Sequence, residues 1–171
     1  MIRRAADRFV SRQPGIESWH AFSAGAHYDA ANLSFGPVIG CDEHVVAPGA
    51  GFDWHAHRGV VIVSWVLSGT LRHEDDGGAE LDLPAGELLV QSTGSGIRHR
   101  ETNGSDEPLR FVQTTLLLDL DRRVGRPTPP VLIGDVTVEL AAVDGLAPGD
   151  TAREPQRFAV AGPGSSLIVA W

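Results

Sequence analysis

Four side chains able to bind a metal recur at one spacing. His55-Ala56-His57 is followed, about forty residues later, by His99-Arg100-Glu101. Each is an i, i+2 pair, and in a β-strand such residues project from the same face. Two pairs on facing strands would aim three imidazoles and one carboxylate at a single point. Neutral imidazoles with a carboxylate suit borderline divalent ions, among them Fe, Ni, Co, Mn, Cu and Zn. On an octahedral ion, His55, His57, His99 and Glu101 leave two positions open, where a substrate or O2 can bind. A closed tetrahedral zinc site usually recruits thiolates, and Cys41 is the only cysteine. Glu101 has a second use in reserve, as a base that takes a proton from the substrate.

The elements around these residues read as strands. Gly49 and Gly51 precede His55, and Gly94 and Gly96 precede His99. Such glycines permit tight turns that bring both pairs to the mouth of one barrel. The run Val60 to Leu67 is β-branched and aromatic, and is apolar on both faces like a buried wall strand. Asp75-Asp76-Gly77-Gly78 is a hairpin turn between Thr70–Glu74 and the alternating Ala79–Leu83. Leu88–Gln91 and Arg110–Leu118 add further strands. Strands spaced by roughly 8–12 residues predict an all-β sandwich or barrel. The composition of 121–130, charged and proline-rich, predicts a linker between a barrel over 1–120 and a strand-rich segment over 131–171. That segment is near the lower limit for folding alone, so it is expected to pack on the barrel or on another subunit.

Composition excludes several functions. The net charge is −8, which disfavours direct contact with nucleic acid. All 14 basic side chains are arginine, so lysine Schiff-base chemistry is absent. No apolar run is long enough to span a bilayer, and no signal-peptide pattern is seen, so a cytoplasmic location is expected. Cys41 reads as a small buried hydrophobe. His20 is expected in a structural hydrogen bond, and His27, His44 and His73 on the surface. Arg58 and Arg98 alternate away from the ligand face and are expected in salt bridges. Trp19, Trp65 and Trp171 read as core or interface, while Trp54, beside His55, is a candidate site neighbour.

The stretch Gly49-Ala50-Gly51-Phe52-Asp53-Trp54-His55-Ala56-His57-Arg58-Gly59 resembles the first signature of the pirin family, a branch of the cupin superfamily. Gly94-Ser95-Gly96-Ile97-Arg98-His99-Arg100-Glu101-Thr102-Asn103 resembles its second. His20-Ala21-Phe22-Ser23, Tyr28-Asp29 and Phe35-Gly36 resemble its N-terminal pattern, so the resemblance runs from about Arg3 to Leu118. It implies a cupin, jelly-roll-like β-barrel with one divalent transition metal, Fe(II) foremost, held by His55, His57, His99 and Glu101. Most cupins draw their carboxylate from a Glu shortly after the second histidine. Val61 and Ile62 stand there in this chain, and the pirin pattern uses the position of Glu101 instead. The implied activity is that of a quercetin 2,3-dioxygenase acting with O2 on a flavonol or another enolisable small molecule. Alternatives are a metal-dependent isomerase, cyclase or lyase of bacterial secondary metabolism, or a non-enzymatic regulatory partner of other proteins. Two departures stand out: pirins usually carry a complete second barrel, of which 131–171 would be a remnant, and many keep an acid where Val61 stands. A homodimer could cover the strand edges left by the short segment.

Overall fold

Short β-branched runs punctuated by glycine turns give a chain of strands, with one 3-10 turn at Ala5–Asp7 as the single helical piece. The computed structural model describes residues 1–171. In chain order the strands are β1 (Ile2–Arg3), β2 (Phe9–Gln13), β3 (Ile16–His20), β4 (Val38–Val46), β5 (Gly51–His57), β6 (Val61–Ser68), β7 (Thr70–Asp75), β8 (Glu80–Pro84) and β9 (Leu88–Ser92). They continue with β10 (Ile97–Asn103), β11 (Leu109–Leu116), β12 (Arg123–Gly125), β13 (Val131–Ile133), β14 (Val136–Ala141), β15 (Thr151–Glu154), β16 (Arg157–Ala161) and β17 (Ser166–Ala170). The four-stranded sheet runs β5-β10-β7-β8 and the seven-stranded sheet β12-β9-β6-β11-β4-β3-β2. Together they form the jelly-roll-like barrel expected from the sequence. A six-stranded sheet, β1-β15-β16-β17-β14-β13, lies on the outer face of the seven-stranded one. No helix is long and apolar enough to cross a membrane.

Two apolar layers account for this stacking. Along β6, Val61, Val63 and Trp65 pack with Val136, Val138, Phe158, Val160, Leu167 and Val169 of the six-stranded sheet. Val66, on the alternate face, packs inside the barrel with Leu71, Leu83, Leu89, Leu109 and Phe111. Each such side chain contributes about 1.5–3 kcal/mol on full burial. A strand covered on both faces is therefore apolar on both, as the run from Val60 reads. Val61 is directed into the outer layer, so an acid at that position would be buried among aliphatic side chains rather than in the barrel interior.

The expected linker 121–130 contains β12, which extends the seven-stranded sheet by pairing Arg123–Gly125 with Val90–Ser92. Ile2–Arg3 joins the sheet built otherwise from 131–171, pairing with Thr151 and Ala152.

Candidate metal centre

The two ligand pairs sit side by side because β5 and β10 are antiparallel neighbours, with His99 opposite His55 and Ile97 opposite His57. A bulge then shifts the register so that Glu101 lies opposite Phe52. Gly51 makes the crossing possible, since a Cβ there would lie 2.6 Å from the Glu101 carbonyl oxygen and from Thr102 Cα. Gly94, with φ at +52°, turns the chain into β10 where a side chain would meet the Arg122 backbone.

Three imidazoles converge. Ring centroids are 4.4 Å apart for His55 and His99, 4.8 Å for His55 and His57, and 4.9 Å for His57 and His99. The Nε2 atoms of His55 and His99 lie 3.0 Å apart. Two nitrogens each about 2.1 Å from a common ion and at right angles would have that separation. His55 Nδ1 donates to the Asp53 carbonyl at 2.7 Å, which leaves its Nε2 lone pair free. His57 Nε2 and His99 Nδ1 are buried with no hydrogen-bond partner. Leaving a buried polar atom unpaired costs about 1–3 kcal/mol. Burial, reinforced by His55 and His57, pushes the His99 pKa down to about 3, and burial with His55 lowers that of His57. Both rings are thus neutral, the form that ligates a metal. This donor set fits a divalent ion.

Glu101 is buried, and it keeps different company. Its Oε2 accepts from Gln113 Nε2 at 2.8 Å, and its Oε1 from Ser64 Oγ at 3.5 Å. Burial raises its pKa, opposed by the Gln113 hydrogen bond and by His73 and His55. The carboxylate forms a donor group with His99 and His73, while His55, His57 and His99 form another, the ligand atoms in each lying within 4.8 Å of one another.

His73 corrects the sequence reading. Expected on the surface, it is fully buried, because β7 pairs with β10 and places His73 opposite Glu101 and Asp75 opposite His99. The signal was present in the sequence, as His73-Glu74-Asp75 is a third i, i+2 pair. Gln113 and Ser64, also missed, reach Glu101 from the wall strands β11 and β6. His44 is also buried rather than exposed, while His27 is half-buried, with its Nε2 hydrogen-bonded to the Val10 carbonyl. His20 is held as expected, by Asp42 at 2.8 Å and Ser11 at 2.5 Å. Arg58 and Arg98 are exposed, and neither forms the expected salt bridge. Arg100 instead pairs with Glu74 through two contacts of 2.6 and 2.7 Å and lies over the Trp54 ring. Cys41 is buried, and desolvation with the adjacent Asp42 pushes its thiol up to about 12.

A polar cavity of about 520 Å³, lined by Arg58, Gly59, Gly94, Ser95 and Asp119, opens just beyond His57 along the chain. A second cavity, about 550 Å³, lies away from the imidazoles, between β12 and β13.

Comparison with known proteins follows the same lines. The Pirin family model matches residues 3–116. A Mycobacterium tuberculosis (strain H37Rv) protein that carries the name quercetin 2,3-dioxygenase provisionally is 43% identical over 119 residues, 69% of this chain and 49% of the relative. The Escherichia coli K12 quercetin 2,3-dioxygenase is 35% identical over 117 residues, 68% of this chain and 51% of the relative. The chain thus spans about half the length of the curated relatives it matches. Among solved structures, the bacterial pirin YhhW of Escherichia coli in complex with nickel(II) superposes with a TM-score of 0.73 at 27% identity, covering 94% of this chain and 70% of that one. A quercetin 2,3-dioxygenase from Acinetobacter baumannii shares the fold, with a TM-score of 0.60 at 14% identity, covering 99% of this chain and 71% of that one.

Proposed function

Because the chain belongs to the pirin family, we propose that it is a metal-dependent oxidoreductase of the quercetin 2,3-dioxygenase type, acting on a flavonol or another enolisable small molecule. The observation that carries this reading is the convergence of three imidazoles, with buried His57 and His99 nitrogens that no protein group satisfies. His55, His57, His99 and Glu101 would hold one divalent ion, Fe(II) foremost, with nickel supported by the relative solved with that metal. When bound, the ion supplies Lewis acidity toward a substrate oxygen and, if redox-active, an electron path to O2.

The chain's own residues do the rest. Asp53 fixes the His55 ring through its carbonyl, so Nε2 faces the common point. Gln113 donates to Glu101 Oε2 and orients the carboxylate. Burial makes Glu101 a stronger base than a surface carboxylate, so an Oε atom can take the proton that an enolic hydroxyl releases on binding. The half-exposed His55 and His57, with exposed Trp54 at the rim, leave the approach open from solvent, while His99 and Glu101 close its floor.

The segment 131–171 stands, in this reading, in place of the second barrel, and the exposed Leu132 on the edge strand β13 offers a surface for a homodimer. A reducing cytoplasmic setting fits the single buried thiol.

The test is quercetin consumption by protein loaded with Fe(II), Ni(II), Co(II) or Mn(II), in air and under anaerobic conditions. O2-dependent loss of the flavonol absorbance, absent in His99→Ala, is expected. Failure of every metal to support O2-dependent turnover overturns the proposal.

A further inference from the structure

The cavity of about 550 Å³ between β12 and β13 is built differently from the metal centre. Each of its two strands is the edge of its sheet, so it opens where the stacked seven- and six-stranded sheets end. Val124, in the middle of β12, packs toward the barrel interior. By strand alternation its neighbours Arg123 and Gly125 face the other way, toward the six-stranded sheet and the cavity. The wall there is apolar. Val90, across the ladder from Gly125, packs with Leu120 and Val131 against the layer between the sheets. A Cβ on Gly125 would meet no atom within 4 Å, so this face of β12 is an open floor. Three arginines, at 122, 123 and 126, line the cavity against one carboxylate, that of Asp121. Arg122 is bound to Asp76 at 2.6 Å and Arg126 to Glu87, while the exposed Arg123 has no carboxylate partner.

In a chain of net charge −8, guanidinium groups gathered over an apolar floor favour a ligand that is both anionic and apolar. We propose that this cavity is a binding site for a small organic carboxylate, separate from the metal centre. The apolar body of the ligand lies on Gly125, Val90 and Leu120, and its carboxylate meets the Arg123 guanidinium. The volume falls within the usual range of small-molecule sites, about 300–1,000 Å³. A guanidinium presents a planar fork of N–H donors that matches a carboxylate through two parallel hydrogen bonds. Asp76 and Glu87 are engaged by Arg122 and Arg126, which leaves the Arg123 fork for the ligand.

Isothermal titration of the full chain with cinnamate and with octanoate, with and without nickel(II), tests this. One equivalent of at least one acid is expected to bind in both states, with the matching alcohol, cinnamyl alcohol or octanol, about tenfold or more weaker. Arg123→Gln removes the charged fork from an exposed position. It should weaken acid binding about tenfold or more and leave nickel uptake unchanged. Gly125→Phe, which fills the floor, should weaken acid and alcohol alike, and Arg123→Gln carries the test if that variant fails to fold. Binding of neither acid, binding only when nickel is present, equal binding of acid and alcohol, or equal binding by wild type and Arg123→Gln overturns the proposal. So does a dimer, seen by sedimentation, that binds neither acid and that Gly125→Phe dissociates, since the cavity would then seat a second copy of the chain.

Discussion

Of the three buried imidazoles in the barrel, two, His44 and His99, stand in opposite circumstances. Toward one end, His44 Nδ1 is bonded to Ser18 Oγ at 2.7 Å, and the ring lies 4.9 and 5.0 Å from those of Phe52 and Phe111. Toward the other, His99 Nδ1 has no hydrogen-bond partner and the ring is surrounded by three other imidazoles. Burial lowers both pKa values, to about 4 for His44 and about 3 for His99. Burial and a shifted pKa therefore do not mark function by themselves. What separates the two is satisfaction at Nδ1: one ring is a packed, hydrogen-bonded part of the core, and the other is held in place with its buried Nδ1 unpartnered.

Acid should strike both ends together, and with the largest effect. The unfolded chain takes up protons at these histidines near pH 6.5, while folded His44 and His99 resist until about 4 and about 3. The unfolded state therefore binds more protons throughout that window, and stability falls as pH falls from 6.5 toward 4. Thermal melts of the metal-free chain should show a midpoint dropping across this range. Next in size, Phe111→Ala should cost about 3–5 kcal/mol by opening a cavity at the packed end, seen in denaturant unfolding. His99→Ala should weaken metal binding by about 100-fold or more in equilibrium dialysis, while the unfolding midpoint of the metal-free protein stays near that of wild type. Smallest, Ser18→Ala should cost about 1–3 kcal/mol by stranding the His44 nitrogen and leave metal uptake unchanged. Equal loss of uptake in Ser18→Ala and His99→Ala would erase the distinction between the two ends.

The i, i+2 spacing of His55, His57, His99 and Glu101 was legible because strand geometry is local: residues two apart share a face whatever the strand pairs with. His73 and Asp75 share that spacing. Their burial, however, comes from β7 pairing with β10, a partner more than twenty residues away that their polar neighbours do not announce. The apolar-on-both-faces pattern of β6 announced a covered strand without saying what covered it, and the six-stranded sheet is the answer. The segment 131–171, expected to be strand-rich, carries β13 to β17. The bulge after His99, which sets Glu101 apart from His55 and His57, arises from paired backbones and leaves no mark on composition.

The pairing of Ile2 with Ala152 and of Arg3 with Thr151 has a consequence for how the molecule is made. During synthesis the barrel strands through β11 emerge well before β15 exists. The outer faces of β6 and β11, with Val61, Val63, Trp65 and Val112, then wait uncovered while the first residues lack their sheet partner. Contacts this far apart in sequence form slowly, and exposed apolar strands in such intermediates favour association. The segment 131–171, about a quarter of the chain, thus acts late, as the cover over the outer face of a sticky nascent barrel.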